Sequence, residues 1–559
     1  VRQPLSSNKC LLLAAVLAGL LLIGDSAHAA SFTWDGGAAD DRVDSPQNWS
    51  GDVAPVSSSS TDLHFAGALR LTPSNTFSAG GDLGSIIFDT GAGAFNVSGN
   101  AVNLFGAITN NGTNAQTVSV DSLSLNSTSE FRVPTGNLTL ALTGASANIL
   151  NNGHTVNVYG NNNKLLTFAA GTVMSGSGGF HIREFSSVWF QSAQNYTGAT
   201  LIDAGRLFTA GTIGNNTGAI VIGNSQPAFA EVTANLYIES SGLNMANAIT
   251  TSKADNGTSR GFGGRLIDGT FTSGTSTLSG GIEVNGGITI SQSTGGTLRV
   301  TGEIRDGTET GNTLRNVYVG LGTRARLGVV VFAANNTYTG RTDVTGVLEI
   351  NNDGNSTNGR IAASTQILVV RNSTLILSGS NAVRDRINDA ATILLGPGTT
   401  SPDVGGTFIT GGLSEGTAPT GPGGAGATPG IGMLTLRANS TIDFTSAAGG
   451  SALVCQTLNF VSGQVVNIAH WTGNPGSNGL DHLLFATNPN LTANDLRSVQ
   501  FTNDAGSNFA TGGMIIDYNG YYELVPVPEP ATWVAGALTL VALLSAKGYR
   551  MRRCRTLRA

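Results

Sequence analysis

Lysine is almost missing from this chain of 559 residues, which contains only Lys9, Lys164, Lys253 and Lys547. Charged residues as a whole make up 11% of the sequence, under half the ~25% of an ordinary soluble domain, a deficit that argues against an average globular enzyme. Cysteine is limited to Cys10, Cys455 and Cys554. With the boundaries argued below, these fall in three different segments, so no intrachain disulfide can staple the body of the protein. Sixteen prolines are too few for collagen or a Pro-rich linker, and aromatic residues reach only 6%. No apolar run attains the ~20 residues of a full bilayer span. What is abundant is glycine, at 77 residues, about twice the usual ~7% share. A 40% hydrophobic content is too high for a disordered chain, so the chain can bury a core. Glycine and asparagine supply the left-handed backbone positions that turns need, and the composition predicts many short strands joined by tight turns. The length alone would allow three or four domains, but a repetitive solenoid would count as one.

Charge is unevenly distributed. Residues 1–29 carry a net +1, residues 30–526 carry -12 from 21 Lys/Arg against 33 Asp/Glu, and residues 527–559 carry +5. At the N-terminal end, Arg2 and Lys9 precede the apolar stretch Leu11 to Ile23, and Ala27-His28-Ala29 has the small-x-small pattern of a secretory cleavage site. About thirteen apolar residues are too short to span a bilayer, so the segment reads as a signal peptide cut between Ala29 and Ala30. At the other end, Val527-Pro528-Glu529-Pro530 leads into the uncharged run 531–546 and then into Lys547, Arg550, Arg552, Arg553, Arg555 and Arg558. Such a run reads as a single, marginal membrane helix, and the six cations after it place the tail in the cytoplasm. The prolines hold the preceding segment extended, in a form that a protease reads as a strand.

Motif, short apolar helix and Arg-rich terminus in this order resemble the PEP-CTERM sorting signal of Gram-negative bacteria. The resemblance implies recognition at Val527, Pro528, Glu529 and Pro530 by an exosortase-type transpeptidase, after export by the general secretion machinery. It also implies transient anchoring in the inner membrane, followed by transfer to the cell surface or the extracellular matrix. It covers only the C-terminal segment 527–559 and assigns no activity.

Within the body, Phe190-Gln-Ser-Ala-Gln-Asn195-Tyr196-Thr197-Gly198-Ala-Thr200, continuing to Gly205 and Leu207, matches Phe332-Ala-Ala-Asn-Asn336-Thr337-Tyr338-Thr339-Gly340-Arg-Thr342, continuing to Gly346 and Leu348. The Tyr-Thr-Gly-x-Thr core is identical in the two. Alternations such as Leu298-Arg-Val300 and Leu375-Ile-Leu377 put every second side chain on one face, and Gly/Asn pairs turn the chain after about five residues. Strands this short and regular are satisfied by stacking coil upon coil around a narrow apolar axis. The fold class expected is all-β: a right-handed parallel β-helix (solenoid), with an N-terminal signal peptide and a C-terminal single transmembrane helix. An antiparallel sandwich array is the alternative, since turn spacing does not set strand polarity.

The repeated unit is similar to the autotransporter-associated β-strand repeat of bacterial surface proteins, whose passengers are β-helical. Thr33-Trp34-Asp35-Gly36-Gly37, Asn48-Trp49, Pro55 and Asp62-Leu63-His64-Phe65 resemble the segment that often precedes such repeats. The organisation that follows is a signal peptide over 1–29, a β-helix with repeats over 30–410 and a Gly/Pro-rich insertion or linker over 411–432. Final coils and a C-terminal cap then occupy 433–526, and the sorting signal 527–559. That signal divides into the motif 527–530, the transmembrane helix 531–546 and the basic tail 547–559. Thr492 and Asp495 form a capping-box-like start to one short helix in the cap.

Sites for chemistry are scarce. Histidines 64, 154, 181, 470 and 482 are never closer than twelve residues, and no Cys-x-x-Cys occurs, so no zinc site is expected. Asp481-His482 is the nearest thing to half of a catalytic dyad. Asp35, Asp40, Asp41 and Asp44 could hold a cation but lack EF-hand spacing. Glu303, Arg305, Asp306 and Glu309 form the densest mid-chain charge group, read as a solvated turn. Cys455, in an apolar run, reads as a buried hydrophobe. The acidic body repels phosphate, which excludes a nucleic-acid partner. The expectation is a non-enzymatic surface or extracellular-matrix protein without cofactor, adhesive or glycan-binding. The alternative is a polysaccharide lyase or hydrolase on the same scaffold.

Overall fold

The computed structural model describes residues 30–527 apart from 146, 162, 224–232, 253–263, 310–314, 322–326, 371, 397–404, 438, 446–449, 462, 474–478 and 504–507. The signal peptide with Ala29, the motif residues Pro528, Glu529 and Pro530, the expected membrane helix 531–546 and the basic tail lie outside the described residues. Among those described, no helix is long and apolar enough to cross a membrane. The chain divides into two compact units, Val1–Gly178 and Gly179–Ala559.

In the first unit, short strands recur in a fixed cycle and stack in parallel into three sheets. Leu63, Ile86, Ile108, Phe131 and Val158 are successive partners in one sheet, each lying one circuit further along the chain. All five side chains are buried, because period two turns alternate residues inward and parallel pairing carries that inward set from rung to rung. The first rungs are closed by an aromatic cluster. Trp34 and Trp49 meet edge to face at 5.2 Å, and Phe65 packs on both Trp34 and Phe88. The Trp49 indole donates to the Val43 carbonyl at 2.7 Å.

The second unit is also built from parallel pairings. Val188, Leu207, Leu236, Ile267, Ile290, Val319, Val344, Val369, Leu395 and Leu436 form one inward row through ten paired strands, and none of them is exposed. The antiparallel alternative is therefore overturned for the body: the hydrogen-bonding partner of each strand is one circuit away, not one turn away. The result is an almost all-β protein with long parallel sheets, consistent with a solenoid.

The circuit from Leu395 to Leu436 is much longer than the three before it, which run from Val319 to Val344, then to Val369 and to Leu395. The surplus contains the Gly/Pro-rich segment. It forms a hairpin-like excursion, with antiparallel bridges at Thr417–Thr428 and Gly421–Ala425, tied by the Gly424 N–H to the Asn519 carbonyl. Parallel stacking ends where Leu484 and Phe485 meet Tyr521–Pro526 antiparallel, and that strand pairs antiparallel with Gly513–Tyr518. A short helix, Ala493–Arg497, opens on a capping box in which the Thr492 side chain accepts from the Asp495 N–H and the Asp495 carboxylate accepts from the Thr492 N–H. Its Asp side chain does what Glu usually does at that position.

Corners are closed by glycines that leave no room for a side chain. A Cβ on Gly302 would overlap the Gly280 carbonyl on the neighbouring rung, whereas one on Gly421 would meet only the Ala425 methyl at 3.6 Å. Gly302→Ala is expected to destabilise the protein by about 1–3 kcal/mol through enforced backbone shift, and Gly421→Ala to change the denaturation midpoint little; urea unfolding of the two variants checks this.

Candidate functional site

The repeated motif comes out the same way twice. Phe190, Phe332, Tyr196 and Tyr338 are all fully buried. The Tyr196 hydroxyl is hydrogen-bonded to Thr200 Oγ1 at 2.5 Å, and the Tyr338 hydroxyl to Thr342 Oγ1 at 2.7 Å. Burial drives both phenol pKa values up, only slightly opposed by the threonine bond. These tyrosines are sealed core groups whose single polar atom is satisfied four residues along the chain. The motif glycines serve close approach. A Cβ on Gly340 would overlap the Arg315 carbonyl, and one on Gly205, at φ +136°, the Ser186 carbonyl. Gly198 and Gly346 are the backbone that the corner glycines Gly218 and Gly320 of neighbouring rungs approach. The repeat is thus a device for turning the chain and holding rungs together.

Most candidate chemical groups are consumed the same way. Glu303 accepts from the Thr337 hydroxyl at 2.6 Å, Asp306 accepts from the Thr339 N–H and hydroxyl and pairs with Arg315, and Arg305 pairs with Glu283. The mid-chain charge group therefore clamps the second repeat to the rung before it; it is more than a solvated turn. In the first loop Asp41 accepts from Arg70 and Thr72, and Asp44 pairs with Arg42. Hydrogen bonds, first from Ser45, hold the Asp40 carboxyl below its ordinary range. Those loop carboxylates have arginine or hydroxyl partners, and no cluster fit to hold a metal occurs among the described residues. Asp481 does not orient His482. It accepts from Ser451 N–H and from the Thr472 N–H and hydroxyl, while His482 Nδ1 bonds Glu523 Oε1 at 2.7 Å and its ring lies 4.6 Å from Tyr518. His64, His181 and His470 likewise bond a carboxylate on a neighbouring rung, namely Asp89, Asp203 and Asp443. Ala30 opens the strand Ala30–Trp34, its N–H donating to the Ser60 carbonyl, and the Val527 N–H donates to Gly512.

Cys455 is fully buried and its thiol pKa is driven up by burial and by Glu415. Glu415 has no exposure, and Oε1 accepts the N–H groups of Arg386 and Ile387, both at 2.8 Å. Burial pushes its carboxyl up to about 8 despite those bonds and the nearby Arg386. Since Oε2 has no partner, the protonated acid suits the site. This residue anchors the base of the Gly/Pro-rich excursion.

Sequence reasoning missed one outward surface. Trp189, Phe208 and Tyr237 are register partners on the three adjacent strands Ser186–Phe190, Gly205–Thr209 and Ala234–Ile238. They alternate with the inward row, so they point away from the core, and all three are half-buried. Phe208 and Tyr237 stack with centroids 4.6 Å apart and 9° between planes. Around them lie three buried polar atoms without a partner: Trp189 Nε1, Arg206 Nε and Asn235 Oδ1. Burial raises the Glu239 carboxyl pKa; the Trp189 indole is close enough to oppose this, although no hydrogen bond of ordinary geometry joins them. The available signal was the unbroken apolar run Val188-Trp189-Phe190, where an outward position of a surface strand calls for a polar residue.

Comparison of the chain with family models, curated proteins and solved structures finds no match.

The buried groups set two expectations. Tyr196→Phe leaves Thr200 Oγ1 without its partner, whereas after Tyr338→Phe the Thr342 hydroxyl keeps Ser364 at 3.1 Å. Tyr196→Phe is expected to lower unfolding free energy by about 1–2 kcal/mol and Tyr338→Phe by less, as read by chemical denaturation. For Glu415, the unfolded chain ionises near the ordinary 4.5 and the folded chain only near about 8. Between those values the folded state holds the extra proton, so stability falls as pH rises, and it levels off outside the window. Glu415→Gln, which keeps the acceptor Oε1, is expected to flatten that decline in a series of melting temperatures from pH 4 to 9.

Proposed function

We propose that the protein is an exported, non-enzymatic surface or extracellular-matrix component of a Gram-negative bacterium. In this reading the body is a right-handed parallel β-helix. A crossover between parallel strands of one sheet is right-handed in about 98% of cases, which supports that hand. Export begins with the signal peptide cut at Ala29–Ala30. The C-terminal segment then holds the chain in the inner membrane until an exosortase-type transpeptidase acts at Val527, Pro528, Glu529 and Pro530. The mature chain works as adhesive or glycan-binding material, without cofactor.

The observation that carries this reading is the use made of the polar residues. Motif tyrosines, histidines and the charged clusters at 41–44 and 303–306 act as contacts within or between rungs. A molecule whose polar groups serve its own stacking suits a structural or display role. Turnover of a polysaccharide by the purified chain would instead favour the lyase or hydrolase reading.

In cells, Pro528→Ala combined with Glu529→Ala is expected to leave uncut protein in the inner membrane, whereas the unaltered chain reaches the surface or medium at lower mass. Fractionation with intact-mass measurement reads the outcome, and normal release of the double variant would remove the sorting claim.

A further inference from the structure

The geometry points to a polysaccharide-binding site on the outward face of the second unit, formed by Trp189, Phe208, Tyr237, Arg206, Asn235 and Glu239. The inference deepens the proposed function, on whose glycan-facing role it rests, by naming the surface that would carry it.

Parallel rungs are about 4.8 Å apart, so three register-paired aromatic residues make a strip about 10 Å long. The strip is rigid. Phe208 and Tyr237 are mutually stacked, the Tyr237 hydroxyl accepts from Asn235 Nδ2 at 3.0 Å, and the backbone beneath is paired on both sides. It also ends abruptly: the next two residues of the same row, Asp268 and Ser291, are buried. Partly exposed aromatic rings edged by a few fixed polar groups share the chemistry of side chains that line binding sites for organic ligands.

The unpartnered atoms narrow the ligand class. Trp189 Nε1 and Arg206 Nε are donors, and Asn235 Oδ1 is an acceptor. A buried polar atom left without a partner is costly, and here two donors, of which the Trp189 indole has only the poorly aligned Glu239 nearby, and an acceptor await partners on one face. The Arg206 side chain makes no ion pair and no hydrogen bond among the described residues. A hydroxyl donates and accepts at once, and a sugar joins several hydroxyls to C–H faces that lie on aromatic rings. An inorganic anion would satisfy the donors and leave Asn235 Oδ1 facing negative charge. Nucleic acid is disfavoured by the acidic body. An extended peptide adds to a strand edge, and the middle strand here has no free edge. Glycan is the class that satisfies all of these atoms.

The test uses the purified full chain carrying Trp533→Phe. Among the described tryptophans, Trp34, Trp49 and Trp471 are 0–1% exposed, so Trp189 is the indole that solvent and ligand reach. Cellohexaose, chitohexaose and hexagalacturonate are titrated while acrylamide quenching and emission wavelength are recorded. At least one of them is expected to slow quenching severalfold and shift the emission, and Trp189→Phe is expected to abolish that signal. By calorimetry, Tyr237→Ala and Asn235→Ala should weaken the same sugar at least tenfold, with an unchanged melting temperature showing that the fold is intact; if Tyr237→Ala melts early, Tyr237→Phe replaces it. Arg206→Gln separates the sources, weakening only hexagalacturonate if the site takes an acidic sugar. Failure of all three sugars to protect Trp189 overturns the proposal, as does binding that survives Trp189→Ala and Tyr237→Ala, or protection by a Ser/Thr-rich peptide in place of the sugars. Because the titration is done on purified protein, a chain found in the cytosol that still binds sugar would sink the export reading alone.

Discussion

Parallel in-register stacking is the constraint from which the rest of this protein follows. Once a strand bonds to the strand one circuit away, its inward residues must match the inward residues of every other rung, and a slip of one residue would turn the apolar set outward. The row from Val188 to Leu436 obeys this at ten successive strands without one exposed member. The same constraint acts at the corners, where successive turns of backbone lie against each other. Gly302 against Gly280 and Gly340 against Arg315 are places where a single methyl group would enter a neighbouring carbonyl. The high glycine content and the low charge are two consequences of one geometry.

Polar side chains are drawn into this scheme. Asn152 reaches Asn126 on the preceding rung at 3.0 Å, and Asn103 reaches the Gly80 carbonyl at 2.7 Å. Four of the five histidines beyond residue 29 bond a carboxylate on a neighbouring strand, three of them on an adjacent rung and His482 on the closing hairpin. In a compact enzyme, a buried carboxylate beside a histidine would invite a catalytic reading. Here the pairing is the side-chain version of what the backbone does. The face around Trp189 is one of the places where buried polar atoms are left over from this pairing.

The ends of a stacked array need separate solutions, since an open rung is an edge that other chains can extend. In the first unit an aromatic cluster around Trp34 and Trp49 covers the first rungs. In the second, the chain switches from parallel to antiparallel pairing at Tyr521–Pro526, and a hairpin covers the last rungs. The Gly/Pro-rich excursion leans on this hairpin through Asn519, so a segment with a linker's composition is ordered by its contacts. Glu415 at its base shows the cost of burying a carboxyl: its proton is retained to about pH 8.

Several features were legible without coordinates. Period-two alternation marked strands such as Thr374–Ser378, the twin Tyr-Thr-Gly-x-Thr segments marked equivalent turns, and Thr492 with Asp495 marked a short helix. These are local signals, carried by side-chain direction and turn chemistry within a few residues. Strand polarity was not legible, because the same turns serve antiparallel neighbours; only the pairing of Leu207 with Leu236, a full circuit further on, decides it. Nor could the sequence reveal that Asp481 and His482, adjacent in the chain, bond different partners, or that Trp189, Phe208 and Tyr237 meet on one face. Composition and periodicity determined that this chain is an array of short strands around an apolar core. Which residues share a surface was decided by the length of each circuit, a long-range quantity that sets the register between rungs and that no local pattern contains.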